Sequence, residues 1–166
     1  MKLRFFLSGV FLTFLISASP QGFTKDEPYR ICANGDMMGS WTMANQIIHI
    51  PVKDEDPFYF RYQRYLFEED KTMKHLTSNQ PITAKQRAYQ NAAPANRTYD
   101  VASDGTLTLK RKNSASVETM LCTYITDNQP DAPAIAPQKG DILLTFSVTP
   151  GQPALLLRLL RREKVD

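Results

Sequence analysis

The chain has 166 residues, of which 42% are hydrophobic, 22% charged and 10% aromatic. A chain of this length can bury roughly 70% of its extended surface in one compact domain. Without Lys2 and Arg4, which lie in a segment we expect to be removed, 18 basic residues face 17 acidic ones. This balance excludes a strong electrostatic footprint for nucleic acid. Two His and two Cys are too few for a zinc ribbon, and the Cys spacing excludes a C-x-x-C redox motif.

The N-terminus has the layout of a secretory signal peptide. Two basic residues in MKLR precede a twelve-residue apolar run, residues 5–16, and the small residues Ser17, Ala18 and Ser19 follow. A transmembrane anchor needs about 18 to 20 apolar residues, so this run is too short to span a bilayer. We expect cleavage after Ala18, export to a periplasm or the cell exterior, and no membrane span in the mature chain.

The expected export indicates how the two cysteines are used. In an oxidising compartment Cys32 and Cys122 are expected to form a disulfide. Closing a loop of about 90 residues contributes roughly 4 to 5 kcal/mol on the chain-entropy model. The alternative is a reactive thiol, but neither cysteine has basic residues or histidine around it in the sequence.

Most of the remaining chain is predicted to form strands. Residues 58–67 (FYFRYQRYLF) are dense in aromatics, which favour strands over helices. The Asp104-Gly105 pair predicts a tight hairpin in which both residues take positive φ. The predicted strands are residues 42–50, 58–67, 72–77, 99–102, 106–110, 117–126 and 141–148.

The last segment, residues 154–164, fits two structures. Its helix formers and Pro153 favour an amphipathic helix. Residues 149–152, however, fit a type II turn, which would lead into a hairpin partner for the preceding strand. We favour a strand.

Two stretches interrupt the strands. Residues 79–97 are polar, and Thr83 with Gln86 predicts a capping box on one short helix. Residues 127–139 contain three prolines and predict an irregular loop.

About eight antiparallel strands in sequential order predict an all-β fold. They are most economically closed into an up-and-down barrel, which removes exposed edges; an open sandwich is the alternative. We expect a signal peptide at residues 1–18, an N-terminal extension at 19–31 and a single barrel domain at 32–164.

At this level the chain resembles the lipocalin-like barrels. The resemblance rests on Gly39-Ser40-Trp41 in the first strand, on the meander with its Asp-Gly hairpin, and on an arginine in the last strand. It implies that Trp41 closes the base of the barrel against that arginine, for which Arg158 is the best candidate. The exported, Cys-linked form is also similar to small bacterial barrels that inhibit proteases or lysozymes. Both resemblances imply binding rather than catalysis.

The sequence offers no catalytic motif. It has no G-x-S-x-G elbow, no phosphate-binding P-loop and no H-E-x-x-H. His49 and His75 have no carboxylate at ligand spacing, and the acidic triplets at 54–56 and 68–70 lack the spacing of a calcium loop. We expect no catalytic residue, no metal site and no cofactor.

Two binding functions stay open. In the first, an inward face of residues 58–67 forms the wall for a small apolar ligand, with residues 79–97 as a lid; the same side chains could equally fill the core. In the second, the barrel is filled and an inhibitor or interaction module contacts a protein partner through residues 127–139. The candidate ligand wall consists of Phe58, Phe60, Tyr62 and Leu66.

Overall fold

A computed structural model describes residues 27–53, 55–128, 135–147 and 154–164. The expected signal peptide, the cleavage site and the turn at 149–152 lie outside the described residues. Within these ranges, no helix combines the length and the apolar character needed to cross a membrane.

Nine antiparallel strands make up the sheet. Strands β2 to β9 pair in sequence order, and β9 pairs back with β2, so these eight close into the up-and-down barrel that the sequence predicts. The short β1 falls in the expected N-terminal extension and lies along β7 beyond the end of β6. The strands are β1 (Tyr29–Ile31), β2 (Gly39–Ile48), β3 (Tyr62–Phe67), β4 (Thr72–Ser78), β5 (Arg97–Val101), β6 (Thr106–Arg111), β7 (Val117–Ile125), β8 (Ile142–Phe146) and β9 (Leu156–Arg162).

Helical structure is short in the described part of the chain. It comprises the single turn α1 (Asn34–Met37), a 3₁₀ turn (Pro57–Tyr59) and the nine-residue α2 (Ala84–Ala92). The predicted capping box begins α2: the Thr83 hydroxyl accepts from the Gln86 N–H at 3.3 Å, and the Gln86 side chain accepts from the Thr83 N–H at 2.8 Å.

The last segment is a strand, as we favoured over a helix. β9 pairs on one side with β2 and on the other with β8. Its inward positions include Arg158 and Leu160, both buried. Two flanking strands therefore override the helix propensity of its leucines and arginines, which is a weak preference by comparison.

The predicted strand at residues 58–67 is wrong in its first half. Phe58 and Tyr59 lie in the 3₁₀ turn, and β3 begins only at Tyr62. The Asp56 carboxylate caps the turn by accepting from the Phe58 N–H at 2.9 Å, and Pro57 follows in its first position. An N-cap aspartate followed by proline is a turn-initiating signal, and here it outweighs the strand propensity of the aromatics.

The Asp104-Gly105 hairpin is present, but its turn type differs from the prediction. Only Gly105 has positive φ, at 81°, and Asp104 does not. The Gly105 N–H donates to the Ala102 carbonyl at 2.9 Å, and the Ala102 N–H donates to the Thr106 carbonyl at 3.0 Å. This is a three-residue loop closed by a glycine bulge, the next commonest hairpin connection.

Trp41 closes the end of the barrel where β2 begins. Its ring is fully buried, its Nε1 donates to the Met37 carbonyl at 2.6 Å, and a guanidinium lies 4.6 Å from the ring centroid. That guanidinium belongs to Arg162, not to the expected Arg158. The register explains the difference: Trp41 lies opposite Arg162, whereas Arg158 lies opposite Gln46 further along the same pair of strands.

Gly39 makes room for this contact. It has φ of 110°, and Arg162 Nη1 lies 3.0 Å from the position that a Cβ would occupy. A side chain there would be strained and would press on the guanidinium.

The predicted disulfide between Cys32 and Cys122 is present and buried. It joins the segment after β1 to the middle of β7, and the Cys32 N–H also donates to the Cys122 carbonyl at 3.0 Å. The bond therefore ties the N-terminal segment and α1 to the barrel wall at the closed end.

Reduction of this disulfide should lower the free energy of unfolding by up to about 4 to 5 kcal/mol, because the unfolded chain regains the freedom of a long loop. Urea denaturation with and without reductant measures the difference. The double variant Cys32→Ser/Cys122→Ser is the control and should not respond to reductant. Identical urea midpoints for the reduced and oxidised wild type would contradict this prediction.

Candidate functional site

The barrel wall opens between β2 and β3. Their described pairing joins residues 39–42 to residues 64–67, whereas β2 continues to Ile48 with β9 alone. A bulge between Met43 and Asn45 marks the point of divergence. Bulges bend a strand and increase its twist, so β2 turns away from β3 here.

A cleft of about 520 Å³ occupies the opening. A smaller depression of about 180 Å³ continues from it, shares Met43 and Tyr62, and is bordered by Ile82 and Arg87. In the described part of the chain the main cleft is lined by apolar, amide, tyrosine and arginine side chains. The lining residues are Met43, Ala44, Asn45, Gln46, Ile48, Arg61 and Tyr62.

The face of β3 that we proposed as a ligand wall does not point into the barrel. The inward face carries Gln63, Tyr65 and Phe67, all buried. The four candidates Phe58, Phe60, Tyr62 and Leu66 are half-buried, and Tyr62 alone of them lines the cleft. Alternation separates the two faces correctly over Tyr62–Phe67, but it does not determine which of them points inward. Phe58 lies in the 3₁₀ turn and Phe60 directly follows it, outside the strand.

Gln63 organises a polar cluster inside the barrel. Its amide nitrogen donates to the carbonyls of Phe58 and Phe60, both at 2.9 Å, which fixes the orientation of the amide. Its Oε1 accepts from the Tyr65 hydroxyl at 2.5 Å and lies 3.0 Å from His75 Nε2. Because an amide oxygen only accepts, His75 must carry its proton on Nε2.

His75 is held in its neutral form. Burial lowers its pKa to about 3, and the positive charges of Arg158 and Arg97 act in the same direction. Its ring stacks on Tyr65 with centroids 4.4 Å apart, and burial raises the pKa of the Tyr65 hydroxyl. The pair therefore fills the barrel as an uncharged, hydrogen-bonded stack at neutral pH.

Arg158 lies beside this cluster and is only 2% exposed. Its Nη1 donates to the Tyr65 hydroxyl at 3.3 Å, its Nη2 donates to the Phe58 carbonyl, and its guanidinium lies 4.1 Å from the centroid of the Phe58 ring. Its buried Nε has no hydrogen-bond partner among the described residues.

Gln46 connects Arg158 to the cleft. The two residues lie directly opposite each other in β2 and β9, so their side chains share one face of the sheet. Gln46 Nε2 donates to the Tyr59 carbonyl at 2.8 Å. Its Oε1 is buried and, within the described ranges, unpartnered, although the residue lines the cleft.

Residues 79–97 are expected to form a lid. The helix that they contain, α2, is fixed against the outer wall of the barrel. Arg64 Nε donates to both carboxylate oxygens of Glu163, at 3.0 and 2.9 Å, and Nη1 donates to Gln90 Oε1 at 2.7 Å. Gln90 Nε2 in turn donates to the backbone carbonyls of Arg64 and Lys74, both at 3.1 Å. These bonds hold α2 across the outside of β3 and β4.

No sequence motif identifies Gln46, Gln63 or Arg158 as polar residues with buried side-chain atoms. The available signal was a polar side chain at an inward position between apolar neighbours, as for Arg158 within LLLRLL. Buried polar groups of this kind are uncommon and require partners. Over the described ranges, no cluster of three or more His, Cys, Asp or Glu residues could hold a metal ion.

No family model, no curated protein and no solved structure matches the chain. The lipocalin-like resemblance therefore rests on the residues that suggested it.

The low pKa of His75 predicts a pH-dependent stability. The unfolded chain takes up a proton near pH 6.5, whereas the folded barrel resists it down to about pH 3. The free energy of unfolding should therefore fall as pH decreases through this window, by at most about 1.4 kcal/mol per pH unit. Urea denaturation at pH 7 and pH 4 measures the fall.

In His75→Gln this component of the fall should be missing. Equal pH dependence in His75→Gln and the wild type would show that His75 is not held neutral by the fold.

The ion pair between Arg64 and Glu163 predicts a loss of stability when Arg64 is replaced. Arg64→Met leaves Glu163 without its buried partner and should cost about 3 to 5 kcal/mol, with faster amide exchange in α2. Arg87→Met is the matched control, because Arg87 is half exposed and lies 4.0 Å from Glu163; it should cost under about 1 kcal/mol. Hydrogen exchange and urea denaturation test both, and equal losses in the two variants would contradict the assignment.

Proposed function

We propose that this protein is an exported, non-enzymatic binding protein that takes a small, largely apolar ligand into the cleft between β2 and β3. The observation that carries the proposal is the cleft itself, whose volume of about 520 Å³ falls in the range of small-molecule pockets. Met43, Ile48 and Tyr62 offer it apolar and aromatic surface. Packed side chains such as Trp41 and Tyr65 occupy the barrel interior.

The proposed ligand site therefore lies in the side of the barrel, whereas a carrier with a central cavity would bind its ligand in the barrel interior. The ligand enters from the side of the barrel, where strand pairing ends, and the closed end with its disulfide acts as a rigid base. Export is supported by the N-terminal sequence pattern and by the disulfide, which is characteristic of oxidising compartments. A periplasmic or secreted location is part of the proposal.

The stacking of Arg162 on Trp41 supports a lipocalin-like barrel, since that resemblance called for an arginine of the last strand at this tryptophan. The alternative function, an inhibitor or interaction module acting through residues 127–139, has less support. It rests on the proline-rich composition of that loop, whereas the cleft offers apolar and aromatic surface that the alternative does not use. Residues 129–134 of the loop lie outside the described residues.

A fluorescent apolar probe tests the proposal. N-phenyl-1-naphthylamine should bind saturably, with one probe per protein, and emit more strongly in the apolar cleft. Tyr62→Trp enlarges a lining side chain and should weaken binding about tenfold or more, equivalent to an overpacking cost of about 1.4 kcal/mol or more.

Tyr89→Trp is the matched control, because Tyr89 lies on α2 and is 77% exposed; its probe affinity should equal that of the wild type. The absence of saturable probe binding, or equal affinity in Tyr62→Trp and the wild type, would remove the basis for a ligand site in the cleft.

A further inference from the structure

Arg158 carries a buried positive charge that has no counter-ion among the described residues. Its partners are neutral: the Tyr65 hydroxyl, the Phe58 carbonyl and the Phe58 ring. No carboxylate in the described ranges forms an ion pair with it, whereas the other buried arginine, Arg64, is paired with Glu163 at 2.8 Å. An uncompensated buried charge costs several kcal/mol, which an incoming anion would offset.

The unpartnered atoms of Arg158 and Gln46 belong to neighbouring side chains. Both side chains reach the 3₁₀ turn, where Arg158 donates to the Phe58 carbonyl and Gln46 donates to the Tyr59 carbonyl. These two carbonyls are consecutive, so the turn holds the two side chains next to each other. Each keeps one buried polar atom that has no partner in the described part of the chain: the donor Nε of Arg158 and the acceptor Oε1 of Gln46.

The entrance to the cleft also carries positive charge. Arg61 lines the cleft and Arg87 borders the adjoining depression. Both side chains are exposed, so they attract an anion from solution but are screened by salt. The buried guanidinium is the one whose interaction with a ligand would be strong.

We propose that the natural ligand is an apolar molecule with an anionic oxygen group, and that this group binds at Arg158. A hydrogen-bond donor next to the anionic group satisfies Gln46 Oε1. The inference rests on the proposed function, because it takes the cleft as the ligand site, and it adds the charge of the ligand and the residues that recognise it.

Two probes with the same ring frame test the charge preference. 1-Anilinonaphthalene-8-sulfonate has a sulfonate next to an amine N–H, and N-phenyl-1-naphthylamine lacks only the sulfonate. The wild type should bind the sulfonate probe about tenfold or more tightly than the neutral one, as expected for a buried hydrogen bond between charged groups. Fluorescence titration gives both dissociation constants.

Arg158→Gln should erase the preference, so that the two probes have equal dissociation constants. Thermal unfolding checks that the variant is folded, and removal of an unpaired buried charge is not expected to destabilise it. Arg111→Gln is the matched control, since it removes an exposed arginine of β6 that is not among the residues lining the cleft; its preference should stay within about threefold of the wild type.

Gln46→Glu tests the inference without removing Arg158. The new carboxylate supplies the missing counter-ion from within the protein, so the preference for the sulfonate should be lost here too, while binding of the neutral probe remains. This variant keeps the test decisive if Arg158→Gln does not fold.

Equal affinities for the two probes in the wild type would overturn the inference, as would a sulfonate preference that survives in Arg158→Gln or Gln46→Glu. Either result leaves the proposed function standing, provided that the neutral probe binds and Tyr62→Trp weakens it. Failure of the neutral probe to bind overturns the proposed function instead.

Discussion

The divided pairing of β2 is the constraint on which the rest of the structure depends. This strand matches seven residues to β9 but only four to β3. Where both partners are present, the barrel is closed and Trp41 is fully buried. Beyond Thr42 the partner on one side is missing from the described pairing, and the cleft takes its place. One strand thus belongs both to the rigid base and to the candidate site.

Among the described residues, the buried arginines Arg64 and Arg158 have different roles. Arg64 points outward, is matched by Glu163 and two amides, and fixes α2 to the wall. Arg158 points inward, has only neutral partners in the described part of the chain, and lies opposite Gln46, which lines the cleft. A paired buried charge is a structural element, whereas an unpaired one retains a strong affinity for anions.

Much of the fold follows from the sequence because its signals are local. Strand alternation, the Asp-Gly hairpin and the Thr83 capping box each depend on a few neighbouring residues. The structure contains all three, except that the hairpin turn is of another type and the first half of the predicted strand 58–67 is absent. The start of β3 was misplaced because Asp56 and Pro57 initiate a turn inside an aromatic run. The wrong ligand wall has a different cause. The period-two alternation holds over Tyr62–Phe67, but it does not determine which face points inward, and the inward face carries Gln63, Tyr65 and Phe67.

The site could not be predicted in the same way, because it depends on register. Whether Arg158 or Arg162 lies at Trp41 is decided by how β9 aligns with β2, including the bulge after Met43. A shift of one residue would turn every side chain of β9 to the other face. The contact between Gln46 and the cleft likewise depends on where the β2–β3 pairing ends, and no motif in the sequence marks that point.

The central claim is that the opening between β2 and β3 is where a ligand binds. Amide chemical shifts recorded during titration with 1-anilinonaphthalene-8-sulfonate test it most directly. The account predicts that the shifted signals belong to β2 beyond Thr42, to the 3₁₀ turn and to Tyr62, while Cys32, Trp41 and Cys122 at the closed end stay unchanged. Shifts centred on the closed end or on residues 127–139, with the β2–β3 opening unaffected, would contradict it.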